Sequence, residues 1–178
     1  MKDLIASPPR SIIELYKSLP EGSLVELIDN TIYMSPAPKF IHQKTSRIIA
    51  RQLENLIVDT GLGEVISAPF DVYLDEKSNA VQPDITLILS ENIHIIGEDG
   101  CVHGIPDMLI EILSTGNEAN DTIKKKELYE RFGIKEYWIV DPTLKLATGY
   151  SLINGKYKML DVVTGTINSP LLRISVKF

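Results

Sequence analysis

The chain has 178 residues, 44% of them hydrophobic and 24% charged, with a formal net charge of −6. That length suits one domain, 1–178, with a substantial core, while the acidic balance argues against a broad phosphate-binding surface. A single cysteine, Cys101, excludes an internal disulfide, and no apolar stretch approaches the roughly 20 residues of a membrane span.

The N-terminal "MKDLIASPPRSII" lacks the continuous apolar centre of a signal peptide, so a cytoplasmic protein with no membrane association is expected. Residues 1–20 form an extension in which "SIIELYKSL" (11–19) predicts a short helix, broken by Pro20-Glu21-Gly22. Two apolar segments in 23–36 flank Asp29-Asn30, residue types that favour a tight hairpin turn. Residues 39–61 predict the longest helix, with Ile41, Ile48, Ile49, Leu53, Leu56 and Ile57 mostly at i, i+3, i+4 spacing and Gly61 as its stop. Residues 30–53 contain no Asp or Glu, and Lys44, Arg47 and Arg51 share one face of that helix, a candidate for nucleic-acid contacts.

"GEVISAPFDVYLD" (63–75) predicts a strand bent or interrupted near Pro69, and "VQPDITLIL" (81–89) a second with Pro83 near its start. A glycine-containing loop over 90–105 leads to "DMLIEIL", apolar on both faces and therefore central in a sheet. "DTIKKKELYERFG" (121–133) predicts a helix closed by Gly133, and "EYWIVD" (136–141) a strand halted by Pro142. Asn154-Gly155 marks a C-terminal hairpin, and "LLRISVKF" a last short strand. The pattern is mixed α/β, with hairpins near both ends.

Glu111 is the residue out of keeping with its surroundings. It lies inside the apolar run "PDMLIEILS", and an ionised carboxylate carried into the interior must meet a cation or a hydrogen-bond donor. Alternation places it on the face of Leu109 and Leu113, and Asp84 begins a strand expected to be its neighbour. The three histidines, His42, His94 and His103, are scattered and no CxxC pair exists, which argues against structural zinc. Two carboxylates instead suit magnesium, which takes few protein ligands and keeps waters for substrate. Lys124, Lys125 and Lys126 supply a cation on the following helix; Lys125 lies one turn before Tyr129 and one turn after Asp121.

Taken together, "VQPDITLIL", "PDMLIEILS", Asp121 with Lys125 four residues later, "LYERFGIKEYWIVDP" and His42 after "SP" resemble the Uma-two type of restriction endonuclease family, within the PD-(D/E)XK nuclease superfamily. The resemblance spans about residues 22–160. It implies a restriction-endonuclease-like core, a mixed β-sheet flanked by helices, and a magnesium-dependent endonuclease acting on DNA, with manganese as a substitute ion. By the same resemblance Asp84 and Glu111 are metal ligands, joined by the backbone carbonyl of Ile112. Leu113 stands where the superfamily carries its lysine, and Lys125 takes over that role. His42, Asp121 and Tyr129 are auxiliary candidates. The family's Ser-Pro-Ser-Thr is replaced here by Ser114-Thr115-Gly116-Asn117.

Two rival readings stay open. One is a catalytically inactive binding or interaction module of the same fold, in which Glu111 is met by a lysine; the other is a phosphodiesterase for small nucleotides. Since 178 residues leave no room for a separate recognition domain, sequence-specific cutting would call for a dimer or a partner, and a homodimer is the expected arrangement.

Overall fold

Asp29 and Asn30 both adopt left-handed backbone angles, φ 47° and 60°, the geometry of a two-residue hairpin turn. They join β1 (Val25–Ile28) to β2 (Thr31–Met34). The computed structural model describes the backbone of residues 8–114 and 118–178, and their side chains except those of 118–122. Before the hairpin, α1 (Ile12–Lys17) is capped by the Ser11 hydroxyl, which accepts from the Glu14 amide. After it, α2 (Phe40–Leu53) continues through a π-helical turn, Glu54–Val58, and the chain turns away at Gly61, φ 72°.

The next two expected strands are each divided between two sheets. β3 (Gly63–Ser67) is followed by a cis Ala68–Pro69 bond and then by β4 (Val72–Tyr73). β5 (Ala80–Val81) leads through Gln82-Pro83-Asp84 into β6 (Ile85–Leu89). Pro83 therefore lies in the crossing between sheets, where its missing N–H costs no ladder bond. The expected 90–105 loop carries a short 3-10 helix, Ser90–Ile95, and β7 (Val102–His103). β8 (Met108–Ile112), α3 (Glu118–Phe132) and β9 (Glu136–Asp141) follow, with Gly133 closing α3 at φ 86°. Two hairpins complete the chain: β10 (Leu146–Ile153) with β11 (Lys156–Thr164), and β12 (Thr166–Ser169) with β13 (Ile174–Lys177). Asn154-Gly155 forms the first of these turns, at φ 52° and 76°.

The main sheet has the order β11-β10-β9-β8-β6-β3, and a second has the order β2-β1-β5-β4-β7. β8 pairs in parallel with β9 and antiparallel with β6, so it is internal as its continuous apolar run requires. Its alternation divides the core. Met108, Ile110 and Ile112 pack with Ile49, Ala50 and Leu53 of α2, whereas Leu109 packs with Leu128 and Tyr129 of α3 and with Tyr137 of β9. Each fully buried aliphatic side chain of this kind contributes roughly 1.5–3 kcal/mol. One consequence is that Glu111, on the Leu109 face, is directed toward α3. The second sheet, through β1 and the Gln82–Asp84 crossing, lies against the same end of β8.

Candidate active site

Four separate parts of the chain converge at the C-terminal end of β8. Lys125 of α3 places its Nζ 2.9 Å from Glu26 Oε1 and 3.0 Å from Glu111 Oε1. Tyr129, one helical turn later, donates its hydroxyl to the same Glu111 oxygen at 2.7 Å. Just before the neighbouring strand β6, Asp84 Oδ2 accepts the Ile112 N–H at 2.7 Å, and His42 Nε2 lies 3.1 Å from that oxygen. The i, i+4 spacing on α3 is what allows Lys125 and Tyr129 to reach one carboxylate together.

Burial makes these charges interdependent. The side chains of Glu26, Glu111 and Lys125 are 7, 11 and 13% exposed, and Tyr129 is fully buried. Burial pushes the Glu111 carboxyl up to about 7; the Lys125 ammonium opposes this, while the charges of Asp84 and Glu26 reinforce it. For Lys125 burial works the other way, but Glu111 and Glu26 outweigh it and hold the ammonium protonated. Burial likewise lowers the pKa of His42, yet its contact with Asp84 prevails and raises it above the usual imidazole value. The buried Nδ1 of His42 has no partner among the described residues.

Behind Glu26 stands a further layer. The backbone N–H of Gln82 donates to Glu26 Oε1 at 2.9 Å, and its side-chain amide donates to Asp71 Oδ1 at 2.9 Å and to the Ser23 carbonyl at 3.0 Å. Asp71 Oδ1 also accepts from the Tyr16 hydroxyl at 2.8 Å, so α1 is tied to the site. Glu26 and Gln82 are absent from the candidates drawn from sequence. Glu26 carries the same signal as Glu111: a carboxylate within an apolar run, "LVELI", at a strand whose four residues are all buried.

The candidates from sequence separate into two groups. Asp84, Glu111, Ile112, Lys125, Tyr129 and His42 come together. Of the three adjacent lysines, Lys125 reaches the carboxylates, whereas Lys124 lies over the Tyr33 ring and Lys126 over the Tyr150 ring. Lys44, Arg47 and Arg51 are not brought to the site. At 3.6 residues per turn they lie about 140–200° around α2 from His42, on its exposed side. Asp121 falls within α3, but its side chain and the 115–117 segment lie outside the described residues.

The carboxylates open into a cavity of about 440 Å³, whose lining includes Glu26, Asp84, Glu111 and Lys125 at one end and Leu24 and Tyr33 on its walls. Ile112 sends its N–H to Asp84, and in an extended strand a residue's N–H and C=O point to the same edge. Its carbonyl is thus directed toward the Asp84 side. Among the described residues no set of three His, Cys, Asp or Glu side chains is disposed to hold a metal ion. Two carboxylates and a carbonyl instead fit a hard ion that keeps several waters, and they do not fit zinc.

The Uma2 family profile, described as "Putative restriction endonuclease", matches residues 13–176. The chain belongs to this family. The match begins earlier and ends later than the 22–160 stretch that carries the motifs; it takes in nearly all of α1 and of the last hairpin. Among solved structures, a crystal structure of "a putative nuclease belonging to DUF820" from Anabaena variabilis is similar, with a TM-score of 0.72 and 18% identity, over 93% of this chain and 92% of the other. At that identity the likeness speaks for the fold, a mixed α/β architecture of the nuclease type. No curated protein matches the chain. No helix among the described residues is long and apolar enough to cross a membrane.

Proposed function

We propose that the protein is a magnesium-dependent nuclease that hydrolyses phosphodiester bonds in DNA. The observation that carries this reading is the meeting of Asp84, from the crossing between the sheets, and Glu111, from the central strand, with the Lys125 ammonium at the end of one cavity. Asp84, Glu111 and the Ile112 carbonyl would hold the ion, with manganese as a substitute, and it would supply charge stabilisation at a phosphoryl oxygen. Lys125 has three N–H donors; two are directed at Glu26 and Glu111, which leaves a third for the attacking water or a phosphate oxygen. Glu26 keeps the ammonium in place when Glu111 turns to the ion. Tyr129 orients Glu111, and His42 orients Asp84.

The test is calorimetry with magnesium or manganese on the native chain and on Glu111→Ala, alongside DNA cleavage with magnesium or with EDTA. Because burial pushes the Glu111 carboxyl up to about 7, ion binding at pH 6 should release protons, visible as a dependence of the heat on buffer ionisation. Native binding that is lost in a folded Glu111→Ala, together with magnesium-dependent cleavage, supports the proposal. One observation favours the inactive binding module instead: the Lys125 ammonium, 3.0 Å from Glu111 Oε1, itself supplies the countercharge that this buried carboxylate calls for. A chain that binds DNA but does not cut it with magnesium would favour that second reading.

A further inference from the structure

The cavity is larger and more apolar than a phosphate group requires. Its 440 Å³ falls within the range of pockets that enclose whole small ligands, roughly 300–1,000 Å³. Beyond the charged end, its walls are formed by residues such as Leu24, Ile28, Tyr33, Pro36, Pro69 and Tyr137. Met34 stands at the same lining with 83% of its surface exposed. Lys124 Nζ lies 4.8 Å from the centroid of the Tyr33 ring, so an aromatic face and an ammonium occupy one wall together.

Positive charge is sparse here. Lys124 and Lys125 are the lysines among the described lining residues, and no arginine is among them; Lys125 is engaged by two glutamates, and the one lining histidine, His42, by Asp84. Lys44, Arg47 and Arg51 lie on the far side of α2. Affinity for a duplex rests on Lys and Arg contacts to its many phosphates, and the described lining of this cavity offers no such track. Single strands are held differently, by aromatic and apolar surfaces that take unstacked bases beside a few cations. A paired base would have to be unstacked and unpaired before it could enter.

We propose that the cavity takes an unpaired nucleotide, its base against Tyr33 and the apolar wall and its phosphate toward Lys124 and the carboxylates, so that the substrate is a single strand or an opened end rather than an intact duplex. The inference rests on the nuclease reading and narrows its substrate. The test uses the native chain with one fluorescein-labelled DNA oligonucleotide, single-stranded or annealed to its complement. Binding is followed by anisotropy in EDTA and cleavage in magnesium. The single strand should bind at least about ten-fold more tightly and be cut correspondingly faster, the ratio that one base–aromatic stack corresponds to. Tyr33→Leu, which keeps an apolar wall but removes the ring, should weaken single-strand binding by about ten-fold. Equal binding and cutting of strand and duplex would overturn the inference and leave the nuclease reading standing, and a Tyr33→Leu chain that binds the strand as tightly as the native one would also overturn it. Failure to bind or cut either form would overturn the nuclease reading and this inference with it.

Discussion

Replacing Lys125 with methionine keeps most of the side-chain volume and removes the ammonium shared by Glu26 and Glu111. Both carboxylates are nearly buried, and leaving one partner of a buried ion pair uncompensated costs about 3–5 kcal/mol. In a domain of this size each kcal/mol lowers Tm by about 2–4 °C, so a fall of roughly 6–20 °C is expected at pH 8. The penalty should depend on pH. Burial already lifts Glu111 to about 7 with the ammonium present, and without it the pKa rises further. A carboxyl whose folded pKa exceeds its unfolded value of 4.5 contributes stability below 4.5 that is lost as pH rises through the folded value. At pH 5.5 the variant's Glu111 is neutral when folded, and protonating it costs only about 1.4 kcal/mol relative to the unfolded chain. The difference between native and variant should therefore narrow at pH 5.5, with Glu26 left as the remaining unpaired charge. Urea unfolding followed by fluorescence measures this directly, because Trp138 is the single tryptophan and is buried in the core. A loss below about 1 kcal/mol at pH 8, or an equal loss at both pH values, would refute the argument, since breaking a buried pair costs several times that.

Two further outcomes follow from neighbouring contacts. Tyr129→Phe deletes the hydroxyl donated to Glu111 at 2.7 Å and should cost about 1–3 kcal/mol in urea unfolding; the loss should be largest above pH 7, where Glu111 is ionised. Gly149→Ala should destabilise by about 1–3 kcal/mol, since an added Cβ would stand 2.5 Å from the Trp138 ring and the core must shift to admit it; thermal unfolding and the Trp138 emission maximum report both effects.

Several features were legible from sequence because they depend on local chemistry. Asp29-Asn30 and Asn154-Gly155 announce hairpin turns, since few residues tolerate two successive positive φ angles. The apolar run through 108–112 announces a central strand, and its alternation places Glu111 on the side facing α3. Spacing along one helix brings Lys125 and Tyr129 to a common carboxylate. Other features were decided by long-range packing. "GEVISAPFDVYLD" and "VQPDITLIL" each run as one segment in the sequence, yet each is shared between two sheets. The basic face of α2 is clear from its spacing, but its apolar face had to pack on the sheet, which turned Lys44, Arg47 and Arg51 outward.

The sequence by itself determined the hairpin turns, the central strand and one carboxylate that burial would leave in need of a partner. Which partner it meets was decided by tertiary structure alone. Glu26, Asp84, Glu111 and Lys125 come from a hairpin, a crossing between sheets, a central strand and a helix, and no local spacing relates them. Only the closing of β1 and α3 over the end of β8 brings them within hydrogen-bond reach. At that distance, with water largely removed, each charge alters the others' titration; far apart along an unfolded chain they would titrate independently.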